Sequence, residues 1–330
     1  MYDTAPNFSY GIVSTMSFTK TTQQSLSKEY IATFLSQYNL IDQDFNFKPA
    51  TSGIENTTII ISVAGGKKNV LRIYRPHKKT RSDIALEIDF IRQLQDAGVA
   101  VPEIYLNKSD DYITSLTYQD TEQHAILMNY VAGHHAETYS LHLISQLAKA
   151  QAKIHQIGIN LAGSNRLKST EQTLRETEFT RLATPEMLVD KSIADFIDRA
   201  ATYTVTLSSY LSYGYSHFDY DVENVLIDTN ENIQAILDFD DMHYAPVVKC
   251  LAFTLWHILI VHQSPELVAH YIQSYEAIRP LKDSEKSYIL PIMLSRHYAI
   301  GALTLLRGEL QDDIDMYLHI ENYLKTVGKL

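Results

Sequence analysis

Two carboxylates and one amide in the second half of the chain have types and spacing that could do chemistry together: Asp219, Asn224 and Asp238. They stand in the segment Ser216-His217-Phe218-Asp219-Tyr220-Asp221-Val222-Glu223-Asn224, followed by two short apolar runs and then Asp238-Phe239-Asp240. An amide oxygen and a carboxylate brought to one point suit Mg2+, which takes few protein oxygens and completes its shell with phosphate and water. A further carboxylate beside them can orient and deprotonate an attacking hydroxyl. That set matches what phosphoryl transfer asks of a protein, namely positioning and charge neutralisation. Taken singly, each residue would serve equally well on a solvated hairpin.

The elements that must position them are legible. Val225–Ile227 and residues 233–237 are β-branched or apolar, and the polar run between them reads as a tight turn, so the segment predicts an antiparallel hairpin. In that register Asp228 faces Ile233 and Asn224 falls opposite Leu237. Asn224 and Asp238 then share the open end, and a loop of five residues can return Asp219 to it. Upstream, Leu26, Tyr30, Ile31, Phe34, Leu35 and Tyr38 recur at helical spacing over residues 25–38. Residues 57–63 and 70–74 read as strands joined through Gly65-Gly66, and residues 82–97 as a helix closed by Gly98. A strand over 125–131 ends at Gly133. Beyond it, 140–157 and 190–212 have helical periodicity, and the last eighty residues look helical almost throughout, with one β-rich interruption at 224–238. The chain is therefore read as a loose lead-in (1–24), an α+β lobe (25–131) and a mainly helical lobe (132–330), with a ligand expected in the cleft between lobes.

Composition narrows the function classes. At 330 residues with 45% apolar and 20% charged side chains, the chain can build a proper core. A net charge of −11 disfavours nucleic acid as a partner and tolerates a cationic small molecule. No run is long and apolar enough for a membrane span; the best stretch, 251–261, is broken by Thr254, Trp256 and His257. Residues 1–20 lack the pattern of a signal peptide, and Cys250 is the only cysteine, so a cytoplasmic location is expected. Nothing in the pattern sets the oligomeric state.

The spacing His-x-Asp-x4-Asn, hairpin, Asp-Phe-Asp resembles the catalytic loop and metal-binding segment of the aminoglycoside phosphotransferase/choline kinase superfamily, which includes the type II homoserine kinases. The resemblance runs from about residue 25 to the C-terminus. It implies the bilobal protein-kinase-like fold, ATP and Mg2+ as cofactors, and a small-molecule acceptor. By the same resemblance Asp219 is the catalytic base, His217 braces its loop, and Asn224 and Asp238 hold the metal. In the first lobe, the stretch 51–57, with Gly53 and Asn56, resembles the nucleotide loop. Arg72 resembles the phosphate-binding cation and Glu87 the acid that pairs with it. Met128 and Tyr130 resemble the inter-lobe hinge that meets adenine.

Three positions depart from the family. Arg72 stands where many members have Lys, and Phe218 where they usually have Gly. Cys250 stands where an Asp that braces the catalytic loop is common. For the acceptor, Asp240 and Asp241 supply negative charge near the site, and Tyr244 and Trp256 either face a cation or fill the core. An amine-bearing acceptor is the resulting expectation: homoserine-, choline- or aminoglycoside-like. The departures motivate a second reading, a nucleotide-binding pseudokinase acting as a regulatory or scaffolding module.

Overall fold

The structure is a computed structural model and describes residues 27–39, 44–50, 56–76, 78–118, 121–161, 191–306 and 314–327. The lead-in 1–24 and Gly53 lie outside the described residues. The chain divides into two compact units: the described parts of 1–88 with 102–130, and of 89–101 with 131–330.

The first unit is built on five antiparallel strands in the order β1-β2-β3-β5-β4. These are β1 (Phe45–Pro49), β2 (Thr57–Val63), β3 (Lys68–Ile73), β4 (Thr114–Tyr118) and β5 (Thr121–Asn129). Period-two alternation turns Ile59 and Ile61 of β2 onto one face, where they meet Leu71 and Leu127. Helix α1 (Lys28–Leu35) starts at Ser27, whose Oγ accepts from the Tyr30 amide, and adds Ile31, Phe34 and Leu35 to the same core. Gly65 and Gly66 turn the chain from β2 to β3 at φ 84° and 81°, a region open to glycine at little cost. β1 and β4 were not foreseen; their sequences are too polar to announce strands, and neighbouring strands supply the ladder that forms them.

Helix α2 (Arg81–Asp96) ends in a Schellman motif. Gly98 takes φ 73°, its amide bonds to Gln95 O at 2.9 Å, and the Val99 amide bonds to Leu94 O at 2.9 Å. The boundary between units passes through this helix. Its Phe90 packs on Tyr215 and Phe239, and Ala100 O accepts from the Ile236 amide at 2.8 Å, which ties 89–101 to the second unit.

In the second unit the described elements are α3 (Leu141–Leu161), α4 (Lys191–Thr202), β6 (Tyr213–Ser216), β7 (Val225–Ile227), β8 (Ile233–Ile236), β9 (His243–Pro246), α5 (Val247–His262), α6 (Pro265–Glu276), α7 (Asp283–Leu306) and α8 (Ile314–Val327). Two sequence readings need correction here. Helical structure stops at Thr202 rather than continuing to 212, and β6 pairs with an unforeseen β9 (Tyr215↔Tyr244). The reason is a close backbone approach. A Cβ on Gly158 of α3 would lie 1.8 Å from Tyr215 O, and one on Gly214 would lie 2.6 Å from the Ile159 amide nitrogen. Two glycines let the helix lie directly on the strand that leads into residue 217. None of the described helices is long and apolar enough to cross a membrane.

A buried ion pair closes the far side of this unit. Arg279 Nη2 meets Glu285 at 2.5 Å, Arg279 Nη1 donates to Tyr275 Oη at 3.2 Å, and that hydroxyl shares a 2.7 Å bond with His155 Nδ1 on α3. Burial pulls the Glu285 carboxyl upward. The Arg279 bond, the Lys282 amide and the Arg279 charge outweigh it and hold the group below the usual carboxylate range.

Two outcomes are expected. Gly158→Ala forces α3 off β6 and lowers unfolding free energy by about 1–3 kcal/mol, although alanine is the better helix former; urea titration measures it. For Glu285, a depressed folded pKa means that its contribution is complete above the unfolded value of about 4.3 and is lost as pH falls through the lower folded value. Glu285→Gln should therefore cost about 3 kcal/mol or more at neutral pH, with the gap to wild type closing in melts run below about pH 4.

Candidate functional site

The loop after β6 is assembled around the backbone N–H and C=O of Leu237. His217 is fully buried. Its Nδ1 accepts from the Asp219 amide at 3.3 Å, which leaves the proton on Nε2, and Nε2 donates to Leu237 O at 2.7 Å. On the other side of the same residue, the Leu237 amide donates to Asn224 O at 2.8 Å. One residue thus ties the loop at both ends to the end of β8. Asp238 follows immediately with φ 58°, a left-handed turn that aspartate tolerates better than most residues, and it redirects the chain so that Phe239 packs on His217 at 4.5 Å between ring centroids.

The open end of the hairpin keeps the expected register, with Val225↔Ile236 and Leu226↔Ala235. The turn end does not. Ile227, rather than Asp228, pairs with Ile233, and a bulge absorbs the extra residue. Asp228 explains it: its Oδ1 accepts from the Asn230 and Asn232 amides at 2.8 Å each, with Glu231 at φ 60°, so the side chain winds a longer turn than a plain hairpin has.

Asp219 and Asn224 are in contact. Asn224 Nδ2 donates to Asp219 O and to Asp219 Oδ2, each at 2.8 Å. Two acceptors fix the orientation of the amide and leave Asn224 Oδ1 as an acceptor facing elsewhere. Asp221 shapes the turn that presents Asn224: its Oδ1 accepts from the Glu223 and Asn224 amides at 2.9 and 3.3 Å, and its Oδ2 lies 3.3 Å from His257 Nδ1 on α5. Asp219 is solvent-accessible. Even so, the atoms packed about it strip enough water, with Asp221 adding like charge, to push its carboxyl above the usual range against the pull of His217. Asp221 goes the other way. Burial raises it, but the His257 bond and charge and the Glu223 amide hold it below the usual range.

Phe218 occupies φ 63°, a region where a bulky side chain is an outlier and glycine is at ease. What holds it there is packing. The ring stacks on His243 at 3.6 Å between centroids and 17° between planes, and its amide donates to Cys250 Sγ at 3.4 Å. Burial pushes the Cys250 thiol up to about 12, so a neutral S–H stands where an ionised brace was expected. Sequence reasoning missed the groups that reinforce it. Gln151 Nε2 on α3 donates to Thr254 Oγ1 at 2.7 Å, and that hydroxyl donates to Tyr220 O at 2.9 Å. Gln151 and Thr254 looked like ordinary polar positions in two helices; only the crossing of α3 and α5 shows their use.

In the first unit, one expected pairing is corrected. Glu87 is engaged by Lys79 Nζ at 2.5 Å and by Tyr74 Oη at 2.9 Å, rather than by Arg72. Arg72 is buried on β3, its guanidinium 5.5 Å from the centre of the Tyr74 ring two residues on, the same strand face. Lys79 lies just before α2 and reaches Glu87 within its second turn, a proximity that strand alternation alone does not reveal. Asn56 is buried, and its Oδ1 accepts from the Arg75 amide at 3.1 Å. Its Nδ2 is buried with no hydrogen-bond partner among the described residues. Met128 pairs with Val70, and Lys68 Nζ lies 5.0 Å above the Tyr130 ring. The chain passes from the first unit to the second between Tyr130 and Val131. Of the remaining candidates, Asp240 is half-buried, Asp241 is exposed, and Tyr244 is half-buried against Tyr215 at 5.5 Å. Trp256 is core: it is buried, and its Nε1 donates to His297 at 3.4 Å.

Comparison with known proteins assigns the class. Residues 46–286 match the model of the APH phosphotransferase enzyme family. The chain belongs to that family of phosphotransferase enzymes. A curated relative, hydroxylysine kinase of Bos taurus, is 27% identical over 114 residues, which are 32% of this chain and 30% of that protein. The chain thus matches under a third of that relative's length. Among solved structures, a microcompartment-associated aminopropanol kinase is similar with a TM-score of 0.68 at 18% identity, covering 92% of this chain and 99% of that one. An amicoumacin kinase solved with AMP-PNP, Ca2+ and Ami gives 0.65 at 16%, covering 92% and 94%. Choline kinase from Cryptosporidium parvum Iowa II gives 0.56 at 14%, covering 91% and 96%. The fold is the bilobal protein-kinase-like one.

Thr254→Val keeps the shape of the side chain but removes the bond to Tyr220 O and the 2.7 Å acceptor of Gln151 Nε2. With Gln151 Nε2 then left only Cys250 Sγ at 3.6 Å, the loss should lower unfolding free energy by about 1–3 kcal/mol, while Thr254→Ser stays near wild type; chemical denaturation distinguishes the two.

Proposed function

We propose that the protein transfers the γ-phosphoryl of ATP, with Mg2+, to a hydroxyl of a small amine-bearing acceptor. The observation that carries this reading is the contact of Asp219 with Asn224 on a loop tied through Leu237 to Asp238. In this reading Asp219 orients the acceptor hydroxyl and takes its proton; a carboxyl pushed above its ordinary range is a better base for that task. His217 holds Asp219 in place through the latter's amide and carries no proton of the reaction. Asn224 through Oδ1 and Asp238 through its carboxylate would hold the divalent ion. The donor set, an amide oxygen and a carboxylate, fits a hard cation whose shell phosphate and water would complete. When bound, the ion supplies positive charge against the phosphates.

Asn56, with its unpartnered buried amide, Arg72, Glu87, Met128 and Tyr130 are proposed for the nucleotide, Gly53 with them by resemblance. Lys79 joins the set as the partner of Glu87. Asp240, Asp241 and Tyr244 are proposed for the amine of the acceptor. The kinases the chain resembles support such an acceptor: aminopropanol, choline and hydroxylysine all carry a cationic nitrogen. The pseudokinase reading draws on Phe218 and Cys250, yet both are built into a bonded brace beneath an intact Asp219, Asn224 and Asp238.

A thermal-shift titration should show stabilisation by ATP that grows with Mg2+, and Asp238→Ala should lose the dependence on metal. Asp219→Asn should release ADP at least a hundredfold more slowly, roughly the worth of general-base catalysis. An Asp219→Asn enzyme as fast as wild type on its best acceptor would remove Asp219 from the mechanism.

A further inference from the structure

Two cations converge beside the loop, and no candidate role above uses them. Lys249 opens α5, one residue before Cys250, and is buried. Arg296 lies in the middle of α7. Both face the Phe253 ring: Lys249 Nζ is 5.5 Å and the Arg296 guanidinium 4.6 Å from its centre, and Arg296 is also 5.8 Å from the Trp256 ring.

Arg296 makes no hydrogen bond or ion pair among the described residues, and its Nε is buried without a partner. That is costly for a guanidinium, whose five donors ordinarily find carboxylates. Carboxylates are close. Arg296 feels the charges of Asp219, Asp241 and Asp221, yet it is in contact with none of them. Aromatic faces hold the side chain instead, with its donors uncommitted. Burial first, and then the charge of Arg296, draw Lys249 down to about 8, so the two cations stand close enough to feel one another.

We propose that Arg296, assisted by Lys249, binds an anionic group of the acceptor, a carboxylate, so that the substrate is a hydroxyl-bearing amino acid rather than a simple amino alcohol. A planar guanidinium pre-set against two rings receives a carboxylate in two parallel bonds. The pairing gives the uncommitted donors of Arg296 an acceptor, and Asp240 and Asp241 remain for the amine. Asp219 sits within the field of Arg296, so an acceptor anchored there has its hydroxyl within the neighbourhood of the base. This inference rests on the phosphotransferase reading and sharpens its substrate class.

Paired acceptors test it. L-homoserine and 3-aminopropan-1-ol differ by the carboxylate alone, as do L-serine and ethanolamine; ADP release is measured with each, for wild type, Arg296→Met, Arg296→Lys and Lys249→Met. Wild type should show kcat/KM at least tenfold higher for the carboxylated member of the better pair. Arg296→Met, which keeps apolar packing on Phe253, should lose that preference through KM while retaining its activity on the amino alcohol, and that retained activity shows that it is folded. Arg296→Lys and Lys249→Met should lose part of it. An equal fall for both members would assign Arg296 to the transferred phosphoryl group or to structure and would overturn the inference. So would a wild type that prefers the amino alcohol. No ADP release with any acceptor would instead count against the phosphotransferase reading itself, so the two failures are distinguishable.

Discussion

Everything at the site hangs on the backbone of one residue. The carbonyl of Leu237 takes the proton of His217 Nε2, and its amide is given to Asn224 O. His217 in turn receives the Asp219 amide, and the Asn224 side chain clasps Asp219 at two oxygens. His217, Asp219 and Asn224 are thereby referred to a single point of backbone just past the end of β8. A neutral imidazole suits the task because one nitrogen accepts while the other donates, so both can be spent on positioning.

The positions that depart from the family pattern are absorbed by packing. Phe218 sits at a backbone angle that glycine would take freely, and the cost is borne by a ring stacked on His243 and an amide resting on sulfur. A thiol is a weaker acceptor than a carboxylate. Its weakness is offset by bonds from Gln151 to Thr254 and from Thr254 to Tyr220 O, which approach the loop from two helices. Replacing an ionised brace by neutral bonds also removes a negative charge from beside Asp219, where Asp221 and Asp241 already raise its carboxyl.

Charge is distributed unevenly around this loop, although the chain as a whole carries −11. Asp221 is matched by His257, and Glu285 by Arg279 on the far side of the unit. Arg296 among these groups is held by rings rather than by acceptors, although carboxylates lie near it.

The pattern of residues determined a good deal by itself. Period-two and period-3.6 runs announced β2, β3, β5 and most of the helices, and the apolar spacing about Asn224 and Leu237 was enough to register the open end of the hairpin. Those features are local, and local periodicity is what a one-dimensional reading contains. Residues 190–212 show its limit: their spacing continues past Thr202, yet the helix ends there and the chain runs without regular structure into β6 at Tyr213. The bulge at the turn was also hidden, because it depends on where the Asp228 carboxylate points. Glu87 was assigned to Arg72 from sequence order, whereas the fold gives it to Lys79. Gln151, Thr254, Lys249 and Arg296 come from α3, α5 and α7, far apart along the chain, and only the crossing of those helices places them around Asp219. Which residues can do chemistry was thus written in types and spacings; which of them are held, braced or left with unspent charge was decided by tertiary packing, because hydrogen bonds and ion pairs depend on distance in space and not on order in the chain.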